Sequence, residues 1–211
     1  MSTRNHQCLI KSCLHPWEGK AQSEEELKQE NAKLKQENIE LTSASVEGYE
    51  EGLNSQGYHN FTFHRFKVSA PAYSHNIDGI HIGRSIDVNV LNTNIATGDD
   101  CVSLGDDCIQ VLVKNLKCGP GRGISIGSLG KYKEEKLVEG IKVKDCTLKG
   151  IDNGVRIKTW PNESRKIIVT HMKFENITMN NVMNPFIIDQ EYCPWNQCSK
   201  DNYSLIHSCK P

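Results

Sequence analysis

The 211-residue chain balances 25 lysines and arginines against 26 aspartates and glutamates, for a net charge of −1, so no bulk electrostatic field draws it toward nucleic acid or an anionic membrane. None of its apolar runs approaches the roughly 18 residues of a transmembrane helix. The length suits one domain of ordinary size with an extension.

Residues 1–55 are polar and poor in β-branched side chains. A heptad repeat, KQENAKL followed by KQENIEL, spans residues 28–41, and with a capping box at Ser23 and Glu26 it predicts a helix over residues 23–42. One interpretation is a short coiled coil through which two copies could associate, with asparagines in its seam. The repeat is short, which favours the other interpretation, a solvated and frayed helix on a monomer. Residues 1–55 are therefore expected to form a helical or disordered segment.

From residue 56 to residue 211 the pattern changes to short β-rich runs separated by Gly, Asn and Asp. Aligned on their apolar residues, the segments DGIHIG, DCVSLG, RGISIG and GVRIKT recur at regular spacing. The interval from Ile80 to Val102 equals that from Val102 to Ile124, and a longer interval from Ile124 to Val155 is repeated from Val155 to Phe186. A period of about 22 residues with short strands predicts an all-β solenoid, a right-handed parallel β-helix whose alternate residues point inward to a stacked core.

If the coils stack, charged residues at equivalent positions form one patch on the outer surface. Its members are three carboxylates and three cations: Asp78, Asp99, Asp100, Arg122, Arg156 and Lys158. Single aspartates beside glycine are common turn residues, but three in register followed by Arg-x-Lys favour a functional site. Like charges this close gain nothing for the fold unless cations compensate.

These residue types indicate hydrolysis of an acidic carbohydrate. Adjacent carboxyls in unequal environments can act as acid and base, and inverting glycoside hydrolysis places them about 6.5–9.5 Å apart around a water. Arginine and lysine can bind a sugar carboxylate.

The sequence segments around the patch resemble those of the plant polygalacturonases, glycoside hydrolase family 28. That family's blocks are Asn-Thr-Asp, Gly-Asp-Asp, Gly-His-Gly and Arg-Ile-Lys. Here they read Asn76-Ile77-Asp78, Gly98-Asp99-Asp100, Gly121-Arg122-Gly123 and Arg156-Ile157-Lys158. The resemblance implies a right-handed parallel β-helix that cleaves α-1,4-galacturonosyl linkages of pectin with inversion. It implies no metal or organic cofactor.

Roles carried over by this resemblance are specific. Asp99 would be the general acid, while Asp78 and Asp100 would activate the water. Arg156, Lys158 and Tyr192 would bind the substrate. The resemblance also implies a disulfide between Cys101 and Cys118, and Cys193 and Cys198 are near enough in sequence to pair.

Two departures from the family predict impaired activity. Arg122 stands at the family's histidine, cannot exchange a proton near neutral pH, and is expected to lower the pKa of Asp99. The family's coils before the first block are also expected to be missing, replaced by the polar segment. A non-catalytic pectin-binding protein, or a truncated gene product with a partner-binding coiled coil, therefore stays open beside the hydrolase.

Evidence on compartment is divided. Nine cysteines and four Asn-x-Ser/Thr triplets favour secretion to the cell wall, which the resemblance also implies. Residues 1–20, however, contain no apolar signal-peptide core.

Overall fold

A computed structural model describes residues 39–42, 45–47, 53–161, 167–196 and 198, and it is a right-handed parallel β-helix, as the sequence predicts. Apart from a single 3₁₀ turn at Pro194–Asn196, the regular structure of these residues is β-strand. The strands are β1 Ile39–Thr42, β2 Ser45–Glu47, β3 Leu53–Gln56, β4 His59–His64, β5 Lys67–Ser69, β6 Ile80–Gly83, β7 Ile86–Leu91, β8 Asn94–Ala96, β9 Asp100–Leu104, β10 Ile109–Lys114, β11 Lys117–Cys118, β12 Gly123–Leu129, β13 Val138–Glu139, β14 Lys142–Thr159, β15 Val169–Thr170 and β16 Lys173–Asp189.

Three parallel ladders form the faces of the solenoid. The first joins β3, β6, β9 and β12, the second joins β1, β4, β7 and β10, and the third joins β2, β5, β8 and β11. The long strand β14 bends around the coil and pairs with β10, β11 and β12 in turn, and β16 then pairs along β14. Each coil therefore contributes one strand to each face.

The predicted spacing is the register of the first face. Val102 pairs with Ile80 and with Ile124, Ile124 pairs with Val155, and Val155 pairs with Phe186. The first four of these residues are buried at the centre of the solenoid. The shorter and longer intervals of the sequence are thus coil lengths. The longer interval between Ile124 and Val155 accommodates the loop between β12 and β14.

The N-terminal prediction differs from the structure where the two overlap. Residues 39–42 form a strand rather than the end of a helix, and they pair with Phe61–His64 of β4 in parallel. Strands β2 and β3 pair likewise with β5 and β6. The β-helix therefore begins before the expected boundary at residue 56. Pairing supplies partners for backbone groups that an open edge of these strands would leave exposed. Residues 23–38 of the predicted helix lie outside the described residues.

Coils approach so closely at Gly123 that no side chain fits. A Cβ there would lie 1.7 Å from the carbonyl oxygen of Asn153, and the backbone has a φ of +97°, a conformation that glycine adopts at little cost. The tight turn before β12 is therefore fixed by its glycines. None of the described residues forms a helix long and apolar enough to cross a membrane.

Candidate active site

The three aspartates predicted as catalytic meet at the start of the first face. Asp78 lies just before β6, and Asp99 and Asp100 lie where β9 begins. One carboxylate oxygen from each residue lies within 4.8 Å of the others. A backbone hydrogen bond from Gly79 to the carbonyl of Asp100, 2.8 Å long, fixes the two coils against each other here. These carboxylate oxygens lie closer together than the roughly 6.5–9.5 Å that usually separates the two carboxyls of inverting glycosidases.

Asp100 is the most enclosed of the three, with 3% of its surface exposed. Its Oδ2 accepts a hydrogen bond from the Ser125 hydroxyl at 2.6 Å and one from the Lys158 ammonium at 2.8 Å. Three carboxylates at this spacing could also hold a divalent cation, but the Lys158 ammonium already supplies the compensating positive charge beside them.

Asp78 and Asp99 hold their protons more tightly than an ordinary aspartate. Burial raises the pKa of Asp78 to about 6, against the opposing effect of a 2.5 Å hydrogen bond donated by the Ser103 hydroxyl. Burial likewise raises the pKa of Asp99, with a further contribution from the charge of Asp100. Both carboxyls therefore keep a proton to higher pH than an ordinary aspartate, whereas Asp100 differs from them in accepting hydrogen bonds from Ser125 and Lys158.

Arg122 lies beside Asp99, with its Nη1 3.4 Å from the Asp99 Oδ2. A register shift in β9 accompanies this contact, because Gly123 pairs with Asp100 whereas Ile124 pairs with Val102, so that Cys101 is an extra residue. The expectation that Arg122 leaves Asp99 with a lowered pKa is wrong in its net direction. The guanidinium does lower that pKa, but it is 39% exposed, and burial of Asp99 outweighs it.

A hydrogen-bonded chain extends from Asp78 to His81, which the sequence analysis did not single out. Ser103 Oγ lies 2.5 Å from Asp78 Oδ2 and 2.7 Å from His81 Nδ1. A hydroxyl has one proton, so when Ser103 donates to ionised Asp78 it must accept from His81 Nδ1–H. Burial, followed by the charge of Lys158, lowers the pKa of His81. Neutral His81 would then present Nε2 as an acceptor.

The residues predicted to bind the substrate, Arg156, Lys158 and Tyr192, lie together, but both cations already pair with carboxylates of the protein. Arg156 donates to Asp189 Oδ2 at 2.5 Å, and Lys158 donates to Asp100. The Tyr192 ring lies over both cations, 5.0 Å from the Arg156 guanidinium carbon and 5.1 Å from the Lys158 ammonium. Such distances are within the cation–π range. The Arg156 Nε is buried without a hydrogen-bond partner.

The predicted cysteine pairs are both present. Cys101 is bonded to Cys118, and Cys193 is bonded to Cys198. The first bond ties the bulge of β9, which adjoins the aspartates, to β11. Cys108 and Cys146 are buried free thiols, whose pKa values burial raises, so they are structural rather than reactive.

Sequence reasoning missed three polar residues that stand between the inner apolar ones, His81, Ser103 and Ser125. They are paired from coil to coil on the first face, in one row with the predicted Arg156. The signal was available, because each stands between two apolar residues in the aligned segments IHI, VSL, ISI and VRI.

Known proteins resemble this chain in sequence and in fold. The sequence profile of Glycosyl hydrolases family 28 matches residues 15–208. The chain belongs to this family. It is 60% identical over 154 residues to a polygalacturonase of Medicago sativa, covering 73% of this chain and 37% of that protein. It is 56% identical over 158 residues to an exopolygalacturonase of Oenothera organensis, covering 75% of this chain and 43% of that protein.

Two solved structures share the fold. A polygalacturonase from Erwinia carotovora superposes with a TM-score of 0.60 at 26% identity, over 70% of this chain and 39% of that one. An endo-xylogalacturonan hydrolase from Aspergillus tubingensis gives a TM-score of 0.57 at 26% identity, over 73% of this chain and 45% of that one. The chain spans about two fifths of the length of the curated relatives it matches.

Proposed function

We propose that this protein is a glycoside hydrolase of polygalacturonase type, which cleaves α-1,4-galacturonosyl linkages of pectin at a rate lowered by Arg122. The observation that carries the proposal is the cluster of Asp78, Asp99 and Asp100, whose oxygens lie within 4.8 Å of one another beside a lysine, an arginine and a tyrosine. The names of the relatives, which include polygalacturonases and an exopolygalacturonase, supply the substrate class.

In this proposal Asp99 is the general acid. Its raised pKa keeps a proton available at a higher pH than an ordinary aspartate would. That proton passes to the glycosidic oxygen as the bond to the anomeric carbon breaks. A water attacks the anomeric carbon and gives its proton to Asp78 or Asp100, so atoms and charge balance. With a pKa of about 6, Asp78 is a competent base only above that pH.

Inversion at the anomeric carbon rests on the family resemblance, since the oxygens lie closer together than is usual for inverting enzymes. Proton NMR of the first-formed product distinguishes the outcomes. We expect the β-anomer from an α-linked substrate, and the α-anomer would show retention instead.

Substrate carboxylates would be held by Arg156 and Lys158, with Tyr192 packed against the sugar. Both cations already have a carboxylate partner, so the substrate would share them with Asp189 and Asp100. Arginine has five donors and lysine three, which leaves donors for a second acceptor on each.

Arg122 is proposed to slow the acid step through its fixed charge. It stabilises the ionised form of Asp99 relative to a neutral neighbour and cannot pass on a proton at working pH. A second candidate function follows from the same contact: if Asp99 never transfers its proton, the protein binds polygalacturonate without cleaving it.

The Arg122→His variant tests the proposal. Reducing-sugar release from polygalacturonate is measured for the native protein and the variant, with Arg122→His/Asp99→Asn as the inactive control. We expect slow release by the native protein and a gain of about 100-fold in the variant, since a positioned acid–base group contributes on this order. Equal rates for native protein and variant would contradict the role of Arg122. Binding without release by either would favour the second candidate.

We also propose an extracellular location, which the disulfides Cys101–Cys118 and Cys193–Cys198 support because such bonds persist in oxidising compartments.

A further inference from the structure

The loop that follows β12 carries a lysine whose ammonium lies near two aromatic rings. The Lys131 ammonium lies 4.9 Å from the centre of the Trp160 ring and 5.2 Å from that of the Tyr132 ring. A backbone hydrogen bond from Trp160 to the Leu129 carbonyl, 2.8 Å long, joins the loop to the end of β14. The ammonium is therefore held in place while Lys131 stays exposed to solvent.

A buried carboxylate fixes the conformation of this loop. Glu135 is 4% exposed, and its two oxygens accept the backbone N–H groups of Gly130 at 2.5 Å and Tyr132 at 2.9 Å. A carboxylate is costly to bury unless it is hydrogen-bonded. The end of the loop is tied to the preceding coil by an ion pair of 2.7 Å between Lys136 and Asp107. Lys131 and Tyr132 are thus presented by a preorganised loop.

The loop continues one wall of the candidate active site. The Trp160 ring meets the Tyr192 ring edge to face at 6.4 Å, and Tyr192 in turn covers Lys158, which binds Asp100. The Trp160 and Tyr192 rings therefore connect Lys131 to Lys158, which flanks the aspartates. Among the described residues, no carboxylate forms an ion pair with its ammonium.

We propose that Lys131, Tyr132 and Trp160 form an additional subsite for a uronic acid unit of a linear acidic oligosaccharide. This subsite rests on the proposed function and extends it away from the point of cleavage. The Lys131 ammonium pairs with the sugar carboxylate, and the Tyr132 ring, on a residue that is 52% exposed, offers an apolar surface to the C–H face of the sugar. Because Glu135 preorganises the loop, little ordering entropy opposes binding.

Calorimetric titration with an oligogalacturonate at low ionic strength tests the subsite. All proteins are full-length and carry Asp99→Asn, so that no hydrolysis intervenes. Lys131→Gln removes the charge and keeps most of the side chain, and Tyr132→Ala removes the platform. Lys117→Gln, an exposed lysine on the third face, is the matched control. We expect Lys131→Gln to weaken binding about fivefold, with Lys117→Gln unchanged.

Methyl-esterified oligogalacturonate makes the test specific for the carboxylate, because Lys131→Gln should bind it as well as the parent protein does. If Lys131→Gln and Lys117→Gln bind the acidic oligomer alike, the subsite is overturned while the proposed function stands. If the parent protein and native chain bind no oligogalacturonate, the proposed function fails and the subsite with it.

Discussion

At the scale of single residues, ionisation of Asp78 lowers the stability of the folded protein. Its pKa rises from 3.8 to about 6 because the carboxyl is buried. Between these values the folded state keeps a proton that the unfolded state has lost, so this residue's contribution to stability is full below pH 4 and is lost as pH rises through 6. The shift corresponds to at most about 3 kcal/mol.

Asp78→Asn should therefore stabilise the protein in a pH-dependent way. Asparagine keeps an oxygen that can accept from Ser103 and carries no charge to bury. We expect the free energy of unfolding to increase by about 1–3 kcal/mol near pH 7.5 and to change little near pH 4. Urea denaturation at both pH values checks this. A gain of equal size at both would mean that the charge of Asp78 is not what burial penalises.

Ser103 should set the pKa of Asp78. Its hydroxyl is the strongest of the groups that lower that pKa, because a donor stabilises the ionised carboxylate. Ser103→Ala should raise the pKa of Asp78 above about 6, and carbon-13 NMR titration of the aspartate carboxyls measures this without relying on activity. Thr62→Ala, on another face of the solenoid, is the control and should leave the titration unchanged. An unaltered pKa in Ser103→Ala would contradict the hydrogen-bonded chain from Asp78 through Ser103 to His81.

At the scale of elements, the disulfide between Cys101 and Cys118 stabilises the coil that carries two of the three aspartates. It joins residues 17 apart in sequence, and closing a loop of that size in the unfolded chain contributes about 3 kcal/mol. The double variant Cys101→Ala/Cys118→Ala should lose about that much in urea denaturation. Cys146→Ala controls for removing a buried thiol, and a loss no greater than in this control would show that the bond contributes nothing.

The strands of the first face could be predicted from sequence because their spacing repeats. Ile80, Val102 and Ile124 pair across coils as their equal spacing requires. The extra residue at Cys101 could not be predicted. Ile80, Val102 and Ile124 are equally spaced, and this spacing does not reveal a bulge between Asp100 and Val102. Strand β1 was missed because its residues continue a heptad-like repeat, and pairing with β4 overrides that local helical preference.

The candidate site was predictable to the extent that its residues repeat with the coils. Asp78, Asp99, Asp100, Arg156 and Lys158 all stand beside the aligned apolar segments of successive coils. Glu135 and Lys131 do not, because they belong to the loop that lengthens the coil between Ile124 and Val155. Their roles depend on contacts with Gly130 and Trp160 that no periodicity encodes.

At the scale of the whole molecule, stability comes from columns of side chains stacked through the solenoid axis. Ile124 is fully buried between Val102 and Val155 of the adjacent coils, so its loss removes contacts with two neighbouring coils at once. Solenoid coils interact mainly with their nearest neighbours. A cavity in one coil therefore weakens both of its interfaces, β9 with β12 and β12 with β14, which together hold Asp100 against Lys158.

Ile124→Ala should accordingly lower the free energy of unfolding by about 2–5 kcal/mol. Ile168→Ala removes the same atoms from a residue that is 39% exposed and should cost less than about 1 kcal/mol. Urea denaturation of both variants, monitored by circular dichroism, measures the difference. Because Ile124 lies on the first face behind the site, the proposed function predicts that its variant also binds oligogalacturonate more weakly at temperatures where it is still folded. Equal losses of stability in the two variants would mean that the column through Ile124 is not a tightly packed core.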